Sequence, residues 1–255
     1  MKDTGTTATA LVVQHDSGGG LGRWTAWLAE RGVTARVVRA HEGDPLPDRL
    51  EDSALIVLGG AFLPDDDVRA PWLPATRELV RQALAVRTPV FGICLGGQLL
   101  AQVAGGEVRG NHGTPEFGST RLDLRPEAAD DPLFHGLPAH PSAIENHVDA
   151  VTALPVGAHW LARSENCPYQ AFRIGSAAWG VQFHPETTAE RIRGWNRDRL
   201  HRNGAPDPET LHARAVRDEP GATATWRTVA HRFADLAAGA ARAPGPAAMP
   251  GGVTR

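Results

Sequence analysis

The chain has 255 residues, 42% hydrophobic and 22% charged, an ordinary globular composition with room for one large domain or two small ones. Its 26 basic and 29 acidic groups leave a net charge of −3, which gives no electrostatic footprint for nucleic acid or for an anionic membrane. Lys2 is the only lysine, so P-loop, kinase and pyridoxal-phosphate chemistry, each built on an internal lysine, is excluded.

In chain order, Met1–Ala10 has neither the basic cluster nor the apolar core of a secretory leader. Thr9–Val13 reads as a short buried strand. Leu21–Arg31 carries Leu21, Trp24 and Leu28 at helical spacing, with Gly32 where a C-terminal cap belongs. Ala35–Val38 and Ala54–Leu58 are the next strands, and Trp72–Val86 is a helix with Leu79, Val80, Ala83 and Leu84 on its inner face. Pro89–Ile93 is a strand running directly into a helix over Leu95–Ala104. The uncharged stretch Thr88–Gly106 could pass for a membrane span, but Pro89, its glycines, Gln98 and Gln102 suit a buried strand turning into a helix. A soluble protein without a membrane partner is expected. Short apolar strands alternating with helices predict an α/β fold, a doubly wound and mostly parallel sheet covered on both faces.

From Glu107 to Trp179 the pattern changes. Gly and Pro punctuate short extended segments at Thr120–Leu124, Trp160–Arg163 and Gln170–Ile174, which suit antiparallel strands added beside the main sheet. Gly180–Phe183 is one more core strand, and helices are predicted over Thr188–His201, Pro208–Arg217 and Thr223–Ala238. Residues 1–240 read as a single domain, and 241–255 as a disordered Ala/Pro/Gly-rich tail.

Strand, then Gly92-Ile93-Cys94-Leu95-Gly96, then helix, has the form of a nucleophile elbow with cysteine in the serine position. The turn is sharp, so the residues two before and two after the nucleophile must be small. A sulfur lifted to a helix N-terminus also has free N–H groups and the macrodipole to stabilise a thiolate. Among 11 histidines, His184 follows a buried strand and so reaches the carboxyl edge of the sheet, where Cys94 also sits. Glu186, two residues on, can lie on the same side and hold the imidazole tautomer; the competing reading of His184-Pro185-Glu186 is a turn with a helix-capping acid. Backbone N–H groups of Leu95 and of the Gly59-Gly60 loop after a strand are candidates for an oxyanion hole. Cys94 and Cys167, the only cysteines, lack metal-ligand spacing and form no disulfide framework. A reducing, cytoplasmic setting with no metal or organic cofactor is expected.

Gly92–Gln98, Gly59-Gly60 and Val181–Glu186 together resemble the class I glutamine amidotransferases. The resemblance extends to about Leu236 and takes in Glu116–Gly118, Asp131–Phe134 and Asn166–Phe172, which look like stand-alone members related to the GMP synthase amidotransferase domain. It implies a flavodoxin-like sheet with antiparallel additions and C-terminal helices. It also implies hydrolysis of the glutamine side-chain amide through a γ-glutamyl thioester. Cys94 would be the nucleophile, His184 the acid–base and Glu186 its orienter, with Gly60 and Leu95 N–H groups at the oxyanion. Gly59, Gln98, Asn146 and His147 fall at substrate-contacting positions, although Gln98 can also be read as a plain polar helix residue and His147 as a surface or core-edge histidine. Cys167 reads as packing. Three functions are compatible: a glutaminase feeding ammonia to a separate synthetase, a peptidase or amidase acting on γ-glutamyl compounds, and a binding module without catalysis.

Overall fold

A computed structural model describes residues 7–242. In chain order it contains β1 (Ala8–Gln14), α1 (Trp24–Ala29), β2 (Val33–Arg39), β3 (Ala54–Val57), α2 (Leu73–Val86), β4 (Val90–Ile93) and α3 (Leu95–Val103). There follow β5 (Glu107–Arg109), β6 (Glu116–Arg121), β7 (Asp123–Leu124), β8 (Ser142–His147), β9 (Ala150–Ala153), β10 (His159–Arg163), β11 (Ala171–Ile174) and β12 (Ala178–Val181). The described residues end in α4 (Arg197–Arg202) and α5 (Pro208–Arg242).

The main sheet runs β2-β1-β3-β4-β12-β11-β10-β7. From β2 to β12 all neighbours pair in parallel, and β11, β10 and β7 add antiparallel strands, as the sequence predicts. Both faces are covered. Along β3, Leu55 and Val57 point to a core shared with Leu79, Val80 and Leu99, whereas Ile56 points to one with Trp24, Phe91, Trp226 and Phe233. That alternation is why β3 is apolar at every position. The strand order reverses between β1 and β3, and the ends of β3, β4 and β12 open onto one edge, where ligands bind in such sheets.

Several elements depart from expectation. The first helix begins only at Trp24, because Gly22 is left-handed (φ 53°) and packs so closely on the Glu186 carbonyl that a Cβ there would collide with it. The predicted helix over 188–201 is broken into a 3-10 turn (Ala189–Gly194) and α4, with Trp195 and Asn196 extended between them. Asn196 then caps α4, its Oδ1 accepting from Arg199 N at 2.8 Å. In contrast, the two helices predicted at 208–217 and 223–238 are one continuous α5 that passes through Pro220. An internal proline costs about 3 kcal/mol. Here both halves are anchored: Leu211 and Ala215 pack with Ile144 and Ile192, and Trp226, Val229 and Phe233 enter the main core. The segment Thr120–Leu124 is split between β6 and β7, and the ribbons β5–β9 and β6–β8 stand apart from the main sheet. Of the predicted tail, Ala241 and Arg242 are helical, and 243–255 lie outside the described residues. No described helix is long and apolar enough to cross a membrane.

Candidate active site

Cys94 stands between β4 and α3 with φ 51° and ψ −110°, a conformation costly for a residue with a Cβ. The turn is held from both sides: Cys94 N donates to Val181 O at 2.8 Å, and Gln98 N donates to Cys94 O at 2.9 Å as the helix begins. Glycine is required around it for lack of space. A methyl on Gly96 would run into the Val57 carbonyl, and one on Gly92 into the Gly96 carbonyl. The Cys94 side chain is 8% exposed and opens onto a cavity of about 470 Å³.

His184 and Glu186 line the same cavity. His184 N donates to Ile144 O at 2.7 Å, which ties the end of β12 to β8. Its Nδ1 shares a 2.8 Å hydrogen bond with Glu186 Oε1, leaving Nε2 for the thiol side. Arg23, just before α1, fastens the backbone that carries the carboxylate, as Arg23 N donates to Glu186 O at 3.1 Å and Arg23 Nε to Pro185 O at 3.1 Å. Burial alone would depress the His184 pKa, but the Glu186 charge and hydrogen bonds to Cys94 and Glu186 outweigh it and hold the imidazole well above its ordinary value.

The Gly59-Gly60 loop lies directly against this pair. A Cβ on Gly59 would come within 2.9 Å of His184 Cε1 and 3.5 Å of Cys94 Cβ. One on Gly60 would sit 2.9 Å from both His15 Cβ and Leu95 Cδ2. His15 behind it is kept neutral: burial, then the neighbouring His41, bring its pKa down to about 4, and its Nδ1 accepts from Trp72 Nε1 at 2.9 Å. Leu95 is the first residue of α3, so its N–H has no acceptor within the helix.

The substrate-contact positions separate into two groups. Gly59 and Asn146 line the cavity. Gln98 and His147 do not, because both are buried and engaged elsewhere. Gln98 Nε2 donates to Gln182 Oε1 (3.0 Å) and Asp149 O (3.2 Å). His147 shares a 3.0 Å hydrogen bond with Asp149 O through Nδ1 and a 3.1 Å bond with Glu116 through Nε2. Glu116, His147 and Cys167 have ligating atoms within 4.8 Å of one another, the described group that could hold a metal ion. Their present partners are protein groups: Glu116 Oε2 also accepts from Gln170 Nε2 at 2.7 Å, and burial pushes the Cys167 thiol up, against metal-ready thiolate. Beside them Glu145 is fully buried, and that burial, reinforced by Glu116, raises its pKa well above the usual carboxylate range. Cavity residues that sequence reasoning missed are Asp16, Gly18–Gly20, Arg191, Trp195 and Arg199. The glycine run after β1, at the same sheet edge as Gly59, is the one signal that could have found the first of them.

The arrangement suits acyl transfer to sulfur: a thiol on a strained turn at the cavity wall, an oriented imidazole and backbone donors nearby. The family model described as glutamine amidotransferase class-I matches residues 23–194. The GMP synthase [glutamine-hydrolyzing] of Aeropyrum pernix is 36% identical over 159 residues, covering 62% of this chain and 29% of that protein. Against the GMP synthases of Aeropyrum pernix and Thermosipho melanesiensis the chain covers 29% and 32% of their length. A glutamine amidotransferase-like protein of Salmonella typhimurium, YfeJ, is 32% identical over 189 residues, 71% of this chain and 77% of that one. Among solved structures, a glutamine amidotransferase from Thermotoga maritima superposes with TM-score 0.80 at 25% identity, covering 90% of this chain and 99% of that one. One from Methylobacillus flagellatus does so with TM-score 0.77 at 29% identity, covering 96% and 99%. The chain belongs to the class I glutamine amidotransferase family.

Proposed function

We propose that the protein hydrolyses the side-chain amide of glutamine through a γ-glutamyl thioester on Cys94 and supplies the ammonia to a separate synthetase. The observation that carries this reading is the chain of contacts from Cys94 to His184 and on to Glu186 at the edge of the parallel sheet. The Cys94 thiolate attacks the amide carbon, and the N–H groups of Gly60 and Leu95 receive the charge that builds on its oxygen. Imidazolium Nε2–H of His184 protonates the amide nitrogen, the C–N bond breaks and ammonia leaves. His184, now neutral, takes a proton from water; the resulting hydroxide attacks the thioester, and glutamate departs as the thiolate returns. Glu186 holds the imidazole and balances its charge throughout. Gln98 and His147 act from behind the wall, through Gln182 and Glu116, and Asn146 faces the substrate.

The proposed setting is the cytoplasm, where Cys94 and Cys167, both free thiols, stay reduced. The match to about a third of glutamine-hydrolysing GMP synthases favours a partner that consumes the ammonia. A second reading, hydrolysis of a larger γ-glutamyl amine or peptide by the lone protein, is favoured by the 470 Å³ cavity, which has room beyond a glutamine side chain. The two are separated by assaying the purified protein against glutamine and a panel of γ-glutamyl amines, with free amine as readout. Slow glutamine turnover that accelerates with a co-purifying synthetase supports the first reading. Fast hydrolysis of one γ-glutamyl compound, with glutamine poor, supports the second and overturns the first.

A further inference from the structure

The segment 191–199 carries four arginines that face two ways. Arg193 pairs with Glu190 at 3.3 Å and Arg197 with Asp207 at 2.7 Å, both on the outer surface. Arg191 and Arg199 line the Cys94 cavity, and among the described residues neither has an Asp or Glu within ion-pair distance. Arg199 is nonetheless firmly held. Its Nη1 donates to Asn146 Oδ1 at 2.5 Å, its guanidinium lies 5.3 Å from the Phe117 ring centroid, and its backbone is fixed by the Asn196 cap. These contacts orient the fork without neutralising it, because Asn146 and Phe117 carry no charge. A half-buried cation without a counter-ion costs solvation free energy that an arriving anion restores. A planar guanidinium is shaped for a carboxylate. The acids on the cavity wall are Asp16 and Glu186, and Glu186 is engaged by His184.

We propose that Arg199, with Arg191 as a second cation, is the carboxylate-recognition site of the Cys94 cavity and a determinant of its specificity. It rests on the preceding reading only in taking the carboxylate from a γ-glutamyl compound. That carboxylate is either the α-carboxylate of the γ-glutamyl half or one borne by the departing amine. Both present the same chemistry to Arg199.

The test compares alkylation of Cys94 by iodoacetate, an anion, and by iodoacetamide, its neutral counterpart, in the wild type, Arg199→Gln, Arg199→Lys and Arg191→Gln. Arg199→Gln should lower the iodoacetate rate on the order of 10-fold or more relative to iodoacetamide, the size of one lost charge-assisted hydrogen bond. Arg199→Lys should restore part of it, and Arg191→Gln should show a smaller loss. A ratio unchanged in Arg199→Gln, or a loss confined to Arg191→Gln, overturns the proposal. Steady-state assays then locate the carboxylate. If Arg199 reads the α-carboxylate, Arg199→Gln raises KM equally for γ-glutamylglycine and γ-glutamylethylamide, with kcat little changed. If it reads the leaving group, KM rises for γ-glutamylglycine alone. Should the wild type hydrolyse neither these nor glutamine while the alkylation ratio still falls in Arg199→Gln, the carboxylate site stands and amide hydrolysis is the reading that fails.

Discussion

Gln182 donates through Nε2 to Cys94 Sγ at 3.5 Å, and its Oε1 accepts from Gln98 Nε2 at 3.0 Å. A buried amide thus joins the sulfur to the elbow helix. Its removal leaves Gln98 with one partner, Asp149 O, and the sulfur with one fewer donor. Gln182→Leu should slow iodoacetamide labelling of Cys94 and lower kcat by about tenfold, the size of one net hydrogen bond, while the protein remains folded. Labelling at the wild-type rate would show that Gln182 only fills space.

The ion pair of His184 with Glu186 makes a second prediction, in pH. The folded imidazole has a raised pKa. Its contribution to stability is therefore complete below the unfolded value of about 6.5 and is lost as pH rises through the higher folded value. Glu186→Gln removes the main cause of the rise. Thermal melts from neutral to alkaline pH should show Tm falling more steeply in the wild type than in Glu186→Gln. Equal slopes would mean that the carboxylate does not hold the proton.

The elbow predicts a steric failure. Gly96→Ala places a methyl against the Val57 carbonyl, a backbone atom that cannot move without shifting β3. Destabilisation on the order of 1–3 kcal/mol or more is expected, together with loss of activity, and is read from chemical denaturation. A stable, active Gly96→Ala protein would contradict the tight strand–helix turn.

The two cysteines should differ sharply towards thiol reagents. Cys167 is 2% exposed, with its thiol pushed up by burial and by Glu145 and Glu116. A reagent that competes with glutamine should label Cys94 first, and Cys167→Ser should leave turnover nearly unchanged. Preferential labelling of Cys167 would show that Cys94 is not the reactive sulfur.

The parts of the site that were legible in the sequence are those whose geometry is local. The elbow needs small residues at fixed offsets from Cys94, and Glu186 lies two residues from His184 on one extended stretch. Strands β3 and β4, and the Ala10–Val13 stretch of β1, are readable because burial on both faces leaves them without polar side chains. What could not be read depends on partners distant in the chain. Gln98 meets Gln182 across 84 residues, and Asn146 meets Arg199 across 53. No spacing rule reports either. The helical periodicity of 188–201 gave no weight to Gly194 and Asn196, which stop one turn and start another. Pro220 lies between the two helices predicted at 208–217 and 223–238; its cost is local, whereas the burial of Trp226 and Phe233 that offsets it depends on distant partners.

The central claim is a covalent bond between Cys94 and the γ-glutamyl group. Protein turning over glutamine is quenched in acid, digested, and the peptide bearing Cys94 is weighed by mass spectrometry. A γ-glutamyl adduct on that peptide, absent in a folded Cys94→Ala protein whose turnover is lost, is the predicted result. Turnover without an adduct, or a Cys94→Ala protein within about tenfold of wild-type activity, less than about 1.4 kcal/mol of barrier, would contradict it.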